Sequence, residues 1–168
     1  MGSDETLWKG NPLLLLNRLE NAADEREAVE RTRDVRFGLD RLLDRQNPFH
    51  AFIDRKRIVA AGHSFGANTT LIVTGAQVVR DRKLLGDRDP RFTASIVISA
   101  PPFYGETNLA AVDVSTLHVT TTEDTIRTPG RFWPVQDRID VFDAIPTLRK
   151  ALAVFQGGIP QRLHRPLP

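Results

Sequence analysis

The sequence predicts an α/β fold, in which a mostly parallel sheet carries helices on both faces. Three observations lead to this prediction: four short apolar runs, helical periodicity between several of them, and a Gly-x-Ser-x-Gly motif directly after the first run. Strands that alternate with helices are connected by crossovers, which align successive strands in parallel. A chain of 168 residues suits one such domain, so residues 1–168 are assigned to a single α/β domain.

The first predicted element is a helix over residues 22–45. Apolar residues recur at i, i+4, i+7 and i+8 between Val35 and Leu43, which is helical spacing. Asn21 can cap the start of this helix, and acidic residues crowd its first turns, as the helix dipole favours. The tripeptide Gln46-Asn47-Pro48 ends it. A long amphipathic helix is therefore expected before the first strand.

The four apolar runs have the composition of strands that are covered on both sides. They are Arg57–Gly62, Ala94–Ala100, Thr116–Thr122 and Ala151–Phe155. Helical segments are predicted after the first run, at Ser64–Arg80, and before the last run, at Val141–Lys150. The alternation predicts a parallel sheet whose strands share one carboxyl edge.

Charge and composition exclude several functional classes. The 23 basic and 21 acidic residues are interleaved, whereas a nucleic-acid partner requires a patch of one sign, so no nucleic-acid role is expected. The chain has no cysteine, which excludes disulfides, thiolate metal sites and a cysteine nucleophile. The longest aliphatic run, Leu13–Leu16, is too short to cross a bilayer, and no metal-ligand spacing occurs. We therefore expect no metal, no cofactor and no membrane span.

The residues that carry chemistry are Gly62-His63-Ser64-Phe65-Gly66. They match Gly-x-Ser-x-Gly, with an apolar run before and a helix-compatible segment after, which is the setting of a nucleophile elbow. The sharp turn lifts Ser64 clear of the sheet, while Gly62 and Gly66 let neighbouring backbone approach without a Cβ clash. The helix that follows directs its first N–H groups at a developing oxyanion, so the backbone N–H of Phe65 is the predicted donor.

The predicted acid partner of Ser64 is Asp124. In this type of fold the acid follows the serine along the chain and lies just beyond the carboxyl end of a later strand. Asp124 comes directly after the run Thr116–Thr122, and its neighbour Glu123 is expected to point the other way. A carboxylate at this place can orient and charge-stabilise a catalytic histidine.

These residues carry a resemblance to a known superfamily. The stretch Phe52–Ala67 resembles the nucleophile region of α/β-hydrolases, and it is most similar to the branch of dienelactone hydrolases and platelet-activating-factor acetylhydrolases. The similarity spans about residues 40–158 and continues through Ser99–Phe103, Thr121–Thr125 and Phe155–Gly158. It implies a serine hydrolase that acts on small-molecule carboxylic esters through an acyl-enzyme on Ser64. It also implies that Asp124 orients a histidine and that no cofactor takes part.

The predicted base departs from the pattern of that superfamily. A histidine is expected one or two residues after Gly158, but the sequence continues with Ile159-Pro160-Gln161. His164 lies in the right region, six residues past Gly158, and is the remaining candidate for the base. The other three histidines are expected to be structural or remote from the site: His63 as an x position of the motif, His118 inside a strand and His50 near the amino end of the first strand.

The resemblance also implies that the chain holds only part of an α/β-hydrolase fold. Sheets of this superfamily have about eight strands, and four are recognisable here. The chain is therefore expected to be truncated at the front and altered at the back, with residues 159–168 as an atypical C-terminal tail. Two functions stay open: a serine esterase or acetylhydrolase, and a catalytically inactive hydrolase-like fragment or binding module without the catalytic histidine.

Overall fold

A four-stranded sheet is the centre of the part of the chain that the structure describes. The computed structural model describes residues 25–80, 83–102, 106–128 and 131–158. In chain order these ranges form α1 (Glu25–Leu43), a 3-10 turn (His50–Phe52), β1 (Ile58–His63), α2 (Phe65–Val73), β2 (Gln77–Arg80), β3 (Lys83–Gly86), β4 (Phe92–Ile98), α3 (Glu106–Leu109), β5 (Ser115–Thr121), β6 (Ile126–Thr128), β7 (Arg131–Trp133), α4 (Gln136–Asp143) and β8 (Lys150–Phe155).

The central sheet is parallel and has the strand order β1-β4-β5-β8. All three pairs of neighbouring strands in this sheet run parallel. Each of the four strands begins within two residues of the start of the corresponding predicted run. The hairpins β2–β3 and β6–β7 are antiparallel and stand apart from this sheet. The predicted α/β class with a mostly parallel sheet is therefore confirmed.

The helix predicted over Ser64–Arg80 is wrong in its second half. The helix α2 ends at Val73, and residues Gln77–Arg80 form a strand instead. Gly75 adopts a φ of +135°, a conformation that ends a helix and that side chains with a Cβ rarely reach. A Cβ at Gly75 would also lie 2.3 Å from the carbonyl oxygen of Ala111, so the chain must turn here.

The helix predicted over Val141–Lys150 begins and ends earlier than expected. The helix α4 spans Gln136–Asp143, and Pro146 prevents its continuation because proline lacks the N–H that a helix needs. Lys150 belongs to β8 rather than to the helix, and its ammonium group closes the end of α4. It donates to the carbonyl oxygens of Phe142 (2.7 Å), Asp143 (3.2 Å) and Ile145 (2.7 Å).

The two faces of the central sheet differ. The strand register places Gly62, Val97 and His118 side by side on one face, where α2 approaches Gly62 and the ring of Phe142 in α4 packs against His118. Side chains alternate along a strand, so the neighbouring positions point to the opposite face. There Val59 and Leu117 are 48% and 38% exposed. Within the described ranges, these helix contacts and most of the buried residues of the central strands therefore share one face, and Thr121, at 1% exposure, is a buried residue of the other.

No helix within the described ranges is long and apolar enough to cross a membrane.

Candidate active site

Ser64 occupies a sharp turn between β1 and α2. Its backbone adopts φ 55° and ψ −120°, a conformation that costs energy in a residue other than glycine and persists only where the surroundings enforce it. Its N–H donates to the carbonyl oxygen of Ile98 in β4 at 2.9 Å. Its own carbonyl oxygen accepts from the N–H groups of Ala67 (2.9 Å) and Asn68 (3.3 Å). The turn is thus fixed to the sheet on one side and to the helix on the other.

Gly62 and Gly66, predicted to act alike, play different parts in this turn. A Cβ at Gly62 would lie 2.1 Å from the carbonyl oxygen of Gly66 and 2.7 Å from Oγ1 of Thr70, so only glycine fits there. A Cβ at Gly66 would meet no atom within 4 Å. The prediction that a Cβ would clash with neighbouring backbone is therefore correct at Gly62 and wrong at Gly66.

The N-terminus of α2 follows Ser64 directly. The first amides of a helix point out along its axis and carry partial positive charge, and Phe65 is the first residue of α2. Seven of the nine residues of the helix, from Ala67 to Val73, are buried, while Ser64 itself is only half-buried. The helix is thus anchored in the core with its N-terminus at the predicted nucleophile, and an oxyanion beside Ser64 would meet the dipole of α2.

Asp124 lies three residues after β5 and is 4% exposed. Its Oδ2 accepts a hydrogen bond of 2.8 Å from Oγ1 of Thr120, a residue near the end of the same strand. The neighbouring Glu123 is exposed. The structure therefore places the predicted acid inside the molecule and its neighbour in solvent.

Arg138, which the sequence did not indicate, is the second polar partner of Asp124. It lies on α4, is 2% exposed, and places its Nε 3.7 Å from Oδ1 of Asp124. Burial lowers the pKa of the Arg138 guanidinium, and the negative charges of Asp124 and Asp137 oppose that effect. The helix predicted from the sequence begins at Val141 and so leaves Arg138 out, although Arg138 stands at helical spacing, i, i+3 and i+7, with the buried Val141 and Ile145.

Ser64 and Asp124 lie at the same edge of the sheet, with the end of β4 between them. The strands β1 and β5 are both neighbours of β4, so their axes are separated by about 10 Å. Ser99, which follows β4, occupies the intervening position. It has φ 52° and is 5% exposed, and its buried hydroxyl has no hydrogen-bond partner within the part of the chain that the structure describes. The sequence analysis placed Ser99 inside the predicted run Ala94–Ala100 and assigned it no role, whereas β4 ends at Ile98.

Three histidines fall within the described residues. His50 lies in the 3-10 turn before β1, beyond the amino end of that strand. His118 lies within β5 at 3% exposure, where burial and the nearby charge of Lys150 lower its pKa to about 4. His63 is the half-buried last residue of β1, next to Ser64 in the chain. The placements predicted for His50 and His118 agree with the structure.

The fourth histidine, His164, and the predicted tail 159–168 lie outside the described residues. The last described turn, at Gly157 and Gly158, sits against the end of β5. The Gly157 N–H donates to Oγ1 of Thr122 at 2.9 Å, and Oγ1 of Thr121 donates to the carbonyl oxygen of Gly158. The chain therefore reaches residue 158 beside the segment that leads to Asp124.

A cleft beside β1 reaches Gly66 of the motif. It has a volume of about 450 Å³ and is lined by residues of α1, β1 and α2, among them Asp34, Val59 and Thr70. Neither Ser64 nor Asp124 lines it. The candidate site therefore rests on the two turns and not on this cleft.

The arrangement unites a strained serine at a helix N-terminus with a buried carboxylate two strands away. Such a pair can support acyl transfer if a base bridges the gap between the two side chains. No group of three or more metal-ligating side chains occurs among the described residues. No protein-family model matches the chain, and no curated protein matches it either.

Proposed function

We propose that this protein is a serine hydrolase that acts on carboxylic esters through an acyl-enzyme on Ser64. The backbone of Ser64 is the observation that carries the proposal. Its φ of 55° and ψ of −120° place the residue in a strained turn between a parallel strand and the N-terminus of a buried helix. Strain of this kind concentrates at functional sites, and this setting is that of a nucleophile elbow.

In the proposed reaction, Oγ of Ser64 attacks the ester carbonyl carbon while a base takes the hydroxyl proton. The carbonyl oxygen becomes an oxyanion, which the backbone N–H of Phe65 and the dipole of α2 stabilise. The base then gives its proton to the departing alcohol, and an acyl-serine remains. Water, activated by the same base, releases the acid and restores Ser64. Asp124 orients the base and compensates its positive charge, and His164 is the candidate for the base itself.

A second function, a catalytically inactive hydrolase-like binding domain, is favoured by the positions of two histidines. His50 lies beyond the amino end of β1, and His118 is buried within β5 against Phe142. Neither can act on Ser64 from these places. Without a base, a serine hydroxyl is a weak nucleophile, and catalysis falls by several orders of magnitude.

The proposed nucleophile is tested by covalent labelling with a fluorophosphonate probe and by hydrolysis of p-nitrophenyl acetate. We expect the probe to label the native protein at Ser64. In Ser64→Ala we expect no labelling and a rate of ester hydrolysis that is lower by at least about a thousandfold. Ser99→Ala is the matched control, because Ser99 also has a positive φ and also follows a strand at this edge. Folded native protein that neither labels nor turns over would contradict the hydrolase proposal.

The two candidate functions are separated by two further variants. If His164 is the base, His164→Ala lowers turnover by about a thousandfold or more. If a base is lacking, His164→Ala changes nothing, and Ile159→His raises labelling because it places an imidazole one residue after Gly158, whose carbonyl contacts the end of β5. A native protein that hydrolyses the ester and is indifferent to both variants would exclude His164 as the base and would contradict the inactive-domain function.

A further inference from the structure

The guanidinium of Arg138 is buried in an unusual way. The side chain is 2% exposed, yet none of its three nitrogen atoms has a hydrogen-bond partner among the described residues, where its only ion pair is the contact with Asp124. Buried polar groups are nearly always hydrogen-bonded, so a group that is not requires an explanation. Burial of a charge without a counter-charge costs free energy of folding. The carboxylate of Asp124 supplies the counter-charge that offsets this cost for Arg138.

Arg91 shows what a structural arginine looks like in the same protein. Its Nε lies 2.9 Å from Oδ1 and its Nη2 lies 2.5 Å from Oδ2 of the buried Asp89, which is a two-pronged hydrogen-bonded pair. That geometry occupies both oxygens of the carboxylate. The contact of Arg138 with Asp124, at 3.7 Å, is an ion pair and too long for a hydrogen bond.

The two oxygens of Asp124 consequently differ. Oδ2 accepts the hydrogen bond from Oγ1 of Thr120, whereas the only described partner of Oδ1 is the guanidinium at ion-pair distance. Among the described residues, Arg138 is the only cation paired with Asp124. Two other carboxylates are near: Glu123 is exposed, and the charge of Asp137, the residue before Arg138 in α4, acts on the guanidinium. The negative charge is compensated while a lone pair of Oδ1 is left to accept from another donor.

We propose that Arg138 is a positioning residue for Asp124, which compensates the charge of the carboxylate from α4 and leaves Oδ1 available to the N–H of a catalytic imidazole. The part of this role that concerns the imidazole rests on the proposed hydrolase function. The charge coupling between the two buried side chains does not, and it can be measured separately.

The coupling is tested by a double-mutant cycle in urea unfolding with Arg138→Met, Asp124→Asn and the double variant. Removal of one member leaves the other charge buried alone, so each single variant is expected to lower the unfolding midpoint by roughly 1 M or more. The double variant is expected to recover a large part of that loss. Additive losses in the double variant would overturn the proposal.

The positioning role is tested by fluorophosphonate labelling of the folded variants. We expect Arg138→Met to lower the labelling rate at least about tenfold and Arg138→Lys to restore most of it, because lysine keeps the charge. Arg91→Met is the control: it removes the hydrogen-bonded arginine of the buried Asp89, which keeps an ion pair with Arg36 at 3.8 Å, and it does so just before β4, at the opposite end of the sheet. It is expected to lower stability and to leave the labelling rate of the folded protein unchanged.

The outcomes separate the two proposals. A native protein that does not label, together with strong coupling in the cycle, overturns the hydrolase function and supports the charge coupling. A native protein that labels at Ser64, together with unchanged labelling in Arg138→Met, overturns the positioning role and supports the hydrolase function.

Discussion

The turn at Ser64 and the turn at Asp124 each hold a candidate site residue just beyond a strand, and they are held in place by different kinds of contact. Both follow parallel strands at one edge of the sheet. The serine turn is held by main-chain hydrogen bonds of Ser64 to β4 and α2, and by the contact of Gly62 with the backbone of Gly66. The aspartate turn has one main-chain bond of its own, from the Asp124 N–H to the carbonyl oxygen of Thr121 at 3.2 Å, and adds contacts of the Asp124 carboxylate with side chains from two elements, Thr120 of β5 and Arg138 of α4.

This difference decides how each turn responds to mutation. A turn fixed by backbone contacts has no side chain that can be trimmed, so it breaks when atoms are added. A turn fixed by buried polar side chains breaks when a partner is removed or when a charge changes, because unsatisfied buried groups are costly. The following predictions test the comparison, beginning with the largest expected effect.

Adding one methyl group to the serine turn is expected to have the largest effect. In Gly62→Ala the new Cβ would lie 2.1 Å from the Gly66 carbonyl oxygen, and backbone atoms cannot swing aside as a flexible side chain can. We expect a loss of about 3 kcal/mol or more in the free energy of unfolding, measured by urea denaturation.

Gly66→Ala provides the control for that change. It adds the same methyl group four residues later, where no atom lies within 4 Å, and it raises helix propensity within α2. We expect a stability within about 0.5 kcal/mol of the native protein. Equal losses in the two variants would show that close approach at Gly62 does not hold the turn.

Acid is expected to weaken the strand that leads to Asp124. Burial lowers the pKa of His118 from 6.5 to about 4, so between these values the unfolded chain binds a proton that the folded chain does not. Stability is therefore expected to fall as the pH drops through this window, with a loss of about 3 kcal/mol once His118 is protonated in both states. In His118→Gln the slope over this window should flatten; an unchanged slope would assign the acid sensitivity to other groups.

Removal of one hydroxyl from the aspartate turn is expected to have the smallest effect of the set. Thr120→Val keeps the shape of the side chain but deletes the donor to Oδ2 of Asp124, which leaves a buried charged acceptor short of a bond. We expect a loss of about 2 kcal/mol.

Thr116→Val is the matched control, on the same strand and the same face. Its hydroxyl pairs with the neutral hydroxyl of Ser95 at 2.7 Å, so its removal should cost only about 1 kcal/mol. The comparison by thermal unfolding isolates the contribution of the charge on Asp124. A loss in Thr116→Val as large as in Thr120→Val would contradict the special importance of the aspartate turn.

The same contrast explains what could be predicted from the sequence. The parallel strands and the turn at Ser64 could be predicted because each depends on residues that are adjacent in the chain, such as the apolar run before Gly62. Asp124 could be placed because it directly follows such a run. Arg138 was missed because the predicted helix began at Val141, whereas α4 begins at Gln136 and buries Arg138 on the same face as Val141. The end of α2 was missed because it depends on Gly75, where a Cβ would lie 2.3 Å from the carbonyl oxygen of Ala111. Ala111 is distant in sequence, so this close approach is not visible from the residues around Gly75.

The hydrogen bonds of Lys150 to the end of α4 affect the order in which parts of the protein fold during synthesis. A ribosome delivers the chain from its N-terminus, and contacts can form only after both partners have emerged. Every described backbone bond of the Ser64 turn is available once Ile98 has been made. The surroundings of Asp124 need Arg138, and the helix that carries Arg138 is closed by Lys150. The serine turn can therefore form on the nascent chain before Arg138 has been synthesised and has paired with Asp124.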